Sequence, residues 1–150
     1  MVCSVPIAFG FWHEFYFVIK NRGETMSDAT MSNAASHTDP DCIFCKIIAG
    51  EIPSTRVYED DSVVAFKDIN PQAKVHVLIV PRNHYKNVAE LASKAPETLA
   101  HIAEVAQNIA NNAFNGDYRL VFNTGLAAGQ TVFHVHAHVL TGEKLVEGSL

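Results

Sequence analysis

Phe133-His134-Val135-His136-Ala137-His138-Val139-Leu140 alternates imidazole with apolar side chains. A strand sends successive side chains to opposite faces, so this spacing predicts a strand with three imidazoles on one side. Val135, Ala137 and Val139 then face a core. Imidazole titrates near neutrality, and three on one face point to chemistry rather than plain packing. The loop before them, Gly129-Gln130-Thr131, is small and polar. Glycine lets a backbone approach an anion closely, and Thr131 adds a hydroxyl. A neutral imidazole can attack phosphorus and form a covalent intermediate. Its neighbour can hold an oxygen or protonate a leaving group. The same spacing also suits a metal site or a purely structural row, and spacing alone leaves the three readings open.

Outward from this strand, the chain reads as alternating short elements. A helical start follows Asp41 over Ile43 to Ile48, and Gly50-Glu51-Ile52-Pro53 turns the chain. Val57 to Glu59 and Ser62 to Phe66 read as strands around an Asp60-Asp61 hairpin turn. Val75 to Val80 is a β-branched run that Pro81 ends. Asn87-Val88-Ala89-Glu90 has the form of a helix start. Ser93 opens a second candidate helix that runs through Pro96 to Ala113, with Leu99, Ile102, Ala106, Ile109, Ala110 and Ala113 on its apolar face. Gly116 is its stop signal. Tyr118 to Asn123 and Thr131 to Leu140 complete about five strands. The pattern predicts an α+β domain with a mainly antiparallel sheet, one long helix and one or two short ones.

Composition narrows the function classes. The chain has 150 residues, a formal net charge of −5 and no basic stripe, which disfavours a nucleic-acid backbone binder. A small anion can still be held by a few local donors. Cys3, Cys42 and Cys45 are too few for a disulfide framework, so a reducing, cytoplasmic setting is expected. No stretch reaches the ~18 uninterrupted apolar residues of a membrane span. Residues 1–38 read as an N-terminal extension before a domain over residues 39–150. The first nineteen residues are aromatic and apolar but broken by His13 and Glu14, and they make a poor signal peptide. Residues 21–40 are small and polar, like a disordered linker. Residues 1–25 are expected to lie outside the functional domain; a degenerate membrane anchor is the rival reading.

His134-Val135-His136-Ala137-His138-Val139-Leu140 resembles the His-φ-His-φ-His-φ-φ signature (φ apolar) of the histidine triad family. Asp41-Cys42-Ile43-Phe44-Cys45-Lys46-Ile47-Ile48, Glu51-Ile52-Pro53, Ala65 to Pro71 and His76 to Pro81 resemble its nucleotide-binding, phosphoramidase-like branch. The resemblance spans roughly residues 40–142, and the N-terminal extension has no counterpart in it. The resemblance implies that His136 is the nucleophile toward the α-phosphorus of a purine nucleotide, through a nucleotidyl-histidine intermediate. It implies phosphate and leaving-group contacts for His138 and Thr131. Asn123, Gly129 and Gln130 match positions lining the phosphate site. Asp68 matches a carboxylate that takes the ribose hydroxyls, while Ile43, Phe44, Ile52, Phe66 and Ile69 match apolar walls around the base. Each has a plainer reading too: apolar side chains belong in any core, and Asp68 or Asn123 can be turn formers.

Cys42-Ile43-Phe44-Cys45 supplies two thiols, whereas a structural zinc site wants four ligands. A subset of the family binds zinc through such a pair and two histidines, and the resemblance gives the other ligands as His84 and His134. The alternative is two reduced thiols with His134 bonded to backbone. No organic cofactor is implied. His76 begins a strand and reads as structural; His13, His37 and His101 read as surface or linker residues. The implied activity is hydrolysis of purine nucleoside phosphoramidates or acyl-nucleotides. The alternatives are a dinucleoside polyphosphate hydrolase and a non-enzymatic nucleotide-binding scaffold. Thr141-Gly142-Glu143-Lys144 departs from the branch's usual tail of two glycines and a basic residue, which leaves the leaving group open. The resemblance also implies a homodimer that joins two sheets; charge and hydropathy give the expectation of no nucleic-acid or membrane partner.

Overall fold

A five-stranded antiparallel sheet organises the computed structural model, which describes residues 37–147. In chain order the elements are α1 (Ile43–Ala49), β1 (Arg56–Glu59), β2 (Val63–Lys67), β3 (Val75–Pro81), α2 (Val88–Lys94), α3 (Pro96–Ala113), β4 (Arg119–Val121) and β5 (Ala137–Thr141). A short 3-10 turn, Leu126–Ala128, lies between the last two strands. The strands lie side by side as β1-β2-β3-β5-β4. The expectation of a separate N-terminal extension lies outside the described residues, apart from His37 and Thr38.

Strict alternation along β2 and β3 gives the sheet two covered faces. Val63, Ala65, Val77 and Ile79 join Val135, Ala137 and Val139 beneath Leu91, Ile102, Val105 and Ala106 of the two later helices. Val64, Phe66, Leu78 and Val80 take the other face and pack on Phe44 and Ile47 of α1. That is why β2 and β3 read as unbroken apolar runs: both faces are buried. Leu91 is fully buried at the centre of the helix side, which contributes roughly 1.5–3 kcal/mol. The three histidines belong to the α1 side. Phe44 meets the His136 ring edge-on, with ring centroids 5.1 Å apart.

Several sequence expectations hold. Asn87 caps α2 by accepting a bond from the Glu90 amide at 3.0 Å. Asp60 turns the β1–β2 hairpin through bonds from the Ser62 and Val63 amides. Three expectations need correction. Ser93 does not open the long helix: it sits inside α2, and α3 starts at Pro96 with Ala95 as its cap. Proline suits a first helical position because its missing N–H would be unpaired there anyway. The strand predicted over Tyr118–Asn123 covers only Arg119–Val121. The strand predicted over Thr131–Leu140 begins at Ala137. The backbone before it is bonded elsewhere: the Val135 amide donates to the Tyr85 carbonyl, and the carbonyls of Val132 and His134 accept from side chains. Alternation of facing persists through that segment without a ladder.

Candidate active site and metal centre

Each imidazole of the row is held in one tautomer by its neighbours. The His136 Nδ1–H donates to the His134 carbonyl at 2.8 Å, which leaves the Nε2 lone pair bare. The Gln72 amide donates to His76 Nδ1 at 3.1 Å, so the His76 proton sits on Nε2. That Nε2–H donates to His138 Nδ1 at 2.9 Å, so the His138 proton sits on Nε2. This last atom is buried and has no hydrogen-bond partner among the described residues. The His136 and His138 rings lie with centroids 5.0 Å apart. A bare lone pair and an unpartnered N–H therefore sit on neighbouring rings. The first can act as a nucleophile and the second as a hydrogen-bond donor.

Burial keeps these rings neutral. It pushes His136 below the ordinary histidine range, against the opposing effects of the His134 carbonyl and Asp68. Burial, with the neighbouring His136 and His76, lowers His138 to about 4. His76 is also lowered by burial, with the Asp68 carboxylate opposing. Neutral imidazole is the form that carries a nucleophilic lone pair.

Asp68 closes this end of the site. Its Oδ1 accepts from the Asn70 amide at 2.7 Å, which is the turn role foreseen for it. Its Oδ2 lies 3.5 Å from His76 Nε2 and 4.0 Å from His138 Nδ1. Among the expected apolar walls, Phe44 and Phe66 are buried together with ring centroids 5.7 Å apart, and Ile52 packs beside them. Ile43 is largely exposed and Ile69 entirely so. Neither contributes to the cluster around Phe44.

The loop before the histidines is built around Gln130. Its side chain is buried, donates to the carbonyls of Lys86 and Val132, and accepts from the Gly125 amide. All its amide capacity goes to backbone, so Gln130 clamps the loop. Gly129 has φ +84°, and a Cβ there would stand 3.9 Å from Asn123 Nδ2. The loop thus brings Gly129 beside Asn123. Thr131 is exposed at the end of this loop.

The remaining expected ligands form a second cluster. Cys42, Cys45, His84 and His134 each offer one ligand atom, all within 4.8 Å of one another. His134 Nδ1 lies 3.5 Å from both sulfurs, and His84 Nδ1 lies 3.4 Å from Cys45 Sγ. A tetrahedral ion with metal–sulfur bonds of about 2.3 Å and metal–nitrogen bonds of about 2.0–2.1 Å separates such ligands by about 3.6 Å. The His134 Nε2–H donates to the Pro81 carbonyl at 2.9 Å, so the Nδ1 lone pair faces the thiols. A second bond of this kind orients metal-binding histidines generally. The Asp39 amide donates to Cys45 Sγ at 3.4 Å, and the His84 amide is anchored on the His37 carbonyl. The donor set and its spacing fit zinc. Burial lowers His134 to about 4, so it too is neutral, the form a metal needs.

Sequence reasoning missed two histidines. His76, read as structural, is joined directly to His138. Only the β3–β5 register reveals this, since it pairs Leu78 with His138 and so puts His76 on the diagonal. The available signal was a polar residue inside an otherwise apolar buried run. His101, read as a surface residue, is half-buried and bonded through Nε2 to Asp60 at 2.6 Å.

A family model described as "Scavenger mRNA decapping enzyme C-term binding" matches residues 41–148. An uncharacterised HIT-like protein of Synechocystis sp. is 49% identical over 106 residues, covering 68% of this chain and 90% of its own. The structure of a HIT family hydrolase from Clostridium thermocellum superposes with a TM-score of 0.71 at 47% identity, covering 75% of this chain and 100% of that one. A zinc-bound histidine triad family protein from Mycobacterium smegmatis superposes at 0.64 and 35% identity, covering 71% and 78%. With its His134–His138 row, its five-stranded sheet and these matches over most of its length, the chain belongs to the histidine triad (HIT) family.

Proposed function

We propose that this protein is a nucleotide hydrolase in which His136 is the nucleophile toward the α-phosphorus of a purine nucleoside phosphoramidate or acyl-nucleotide. The observation that carries the reading is the pair of complementary tautomers: a bare Nε2 on His136 beside an unpartnered Nε2–H on His138. The description of the Clostridium thermocellum relative as a hydrolase supports enzymatic turnover.

The His136 Nε2–P bond forms as the bond from phosphorus to the leaving nitrogen or oxygen breaks. The His138 Nε2–H hydrogen-bonds the leaving atom, which takes its proton from solvent, so that His138 stays neutral throughout. Water then breaks the Nε2–P bond and releases the nucleoside monophosphate. Thr131, Asn123 and Gly129 face the phosphate end in this reading, with Gln130 holding their loop. Asp68 takes the ribose hydroxyls, and Phe44, Phe66 and Ile52 meet the base. Cys42, Cys45, His84 and His134 would hold a structural zinc, which supplies a cross-link between α1 and the nucleophile's segment and takes no part in bond making.

Replacing His136 by Ala tests the assignment. The variant loses adenosine phosphoramidate turnover and still binds the monophosphate by calorimetry. Unchanged turnover removes His136 from the role and favours a binding scaffold. A substrate panel separates the phosphoramidase from a dinucleoside polyphosphate hydrolase: the larger kcat/KM falls on phosphoramidates if this reading holds. A homodimer that joins two sheets, in a cytoplasmic setting, completes the proposal, and sedimentation reads its mass.

A further inference from the structure

Resting on the hydrolase reading above, we propose that Asp68, His76 and His138 form a second zinc site, at which the ion blocks the nucleotide reversibly. Asp68 Oδ2, His76 Nε2 and His138 Nδ1 form a triangle with edges of 2.9, 3.5 and 4.0 Å. Nitrogen and oxygen ligands at about 2.0–2.1 Å from a tetrahedral zinc stand about 3.3–3.4 Å apart. The mean edge, about 3.5 Å, is close to that length, and no ligand atom need move by more than a fraction of an ångström. The three side chains come from separate strands and a loop, and all are largely withdrawn from solvent. The triangle is spatially separate in its ligands from the Cys42/Cys45/His84/His134 cluster.

The chemistry favours a borderline ion. Two imidazoles and one carboxylate suit zinc better than magnesium or calcium, which prefer oxygen. Three protein ligands leave the fourth position to water. The orientation of Asp68 helps: the Asn70 amide occupies Oδ1 and leaves Oδ2 facing the nitrogens.

Binding also carries a cost that keeps it reversible. His76 now carries its proton on Nε2, where the ion must sit. That proton has to move to Nδ1, which displaces the Gln72 amide from its bond. The bond is partly exposed and water can replace it. The second site is therefore weaker than the thiolate site and loads only after it. Loading withdraws Asp68 from the ribose and breaks the His76–His138 hydrogen bond. Zinc and nucleotide then exclude one another.

The test uses the full chain with one zinc already in the thiolate cluster. Zinc chloride is titrated in, and bound metal is counted by equilibrium dialysis with and without saturating adenosine monophosphate. The expected result is a second bound equivalent that the monophosphate displaces. At free zinc about ten times its dissociation constant, the KM for adenosine phosphoramidate rises about tenfold with kcat unchanged. Asp68→Asn, which keeps the Asn70 contact, and His76→Gln each bind one zinc and lose the second. With cobalt, the second equivalent adds ligand-field absorption without new thiolate charge-transfer bands. A total of one zinc, or a second zinc retained in both variants, overturns the site. A second zinc that leaves KM unchanged overturns the blocking role. A preparation with no turnover at any zinc concentration would instead overturn the hydrolase reading, while the metal count still decides the site.

Discussion

The division of labour among the histidines depends on which nitrogen of each ring carries a proton. His134 turns Nδ1 toward two thiols because Pro81 takes its Nε2–H. His136 turns Nε2 outward because the His134 carbonyl takes its Nδ1–H. His138 presents Nε2–H because His76 donates to its Nδ1. Removing the His138 N–H donor should lower kcat by roughly 10²–10³-fold, as expected of one lost hydrogen bond to the departing charge; His138→Ala in single-turnover assays measures it. His76 is a positioning residue for His138. His76→Leu should reduce kcat with little change in KM, whereas His76→Gln, whose amide can still donate, should recover much of the loss. Equal losses in both would show that the ring matters only for packing.

Among the elements, β5 ends at a glycine packed closely on β3. Gly142 ends β5 with φ +88°, and a Cβ there would stand 2.8 Å from Val75 Cγ2 and 3.2 Å from the Val75 backbone nitrogen. Gly142→Ala meets both a left-handed backbone penalty and a close contact with β3. It should destabilise the fold by roughly 1–3 kcal/mol, read as a lower midpoint in urea with an unchanged slope. A full-stability Gly142→Ala variant would show that the strand end relaxes freely. The elements were legible where one interaction dominates. Alternation fixed the facing of His134 to Leu140, and Asn87 announced its cap. The long final strand was misread because period two reports facing, not ladder bonds; residues 131–136 keep the facing while their backbone bonds to Tyr85 and to side chains. His76 was illegible because its partner is set by register across β3 and β5, which one strand's sequence does not contain.

At the scale of the whole molecule, two of the polar clusters among the described residues join the sheet to its flanking helices. One is the thiolate–imidazole cluster between α1 and the histidine row. Purified protein should carry about one zinc per chain in that cluster, and less than a tenth of an equivalent by elemental analysis would reject it. The other is the contact of His101 on α3 with Asp60 at the β1–β2 turn. Glu104 faces the second ring nitrogen of His101 at 3.4 Å, and the Tyr58 hydroxyl donates to the same Asp60 carboxylate at 2.7 Å. The bond to Asp60 raises the His101 pKa above its ordinary value of 6.5, against the opposing effect of burial. Burial alone would raise Asp60, but bonds from Tyr58, His101 and two amides outweigh it and hold Asp60 at about 2. A raised histidine stabilises fully below its unfolded pKa, and that stabilisation fades as pH rises through the folded value. The Asp60 contribution is present above about pH 4 and is lost as pH falls toward 2. The native protein should therefore exceed His101→Gln in melting temperature by roughly 2–5 °C at pH 6, with the gap closing in alkali. A gap independent of pH would mean that packing, not the ion pair, joins α3 to the hairpin.

The proposed mechanism turns on one covalent event at His136. Adenosine phosphoramidate mixed with the protein and quenched in alkali within the first turnover should leave one adenylyl group on the peptide that contains His136. Tandem mass spectrometry places the group on that residue, and fresh water chases it to the monophosphate. A first turnover with no labelled peptide, or with the label on any other side chain, would contradict the account.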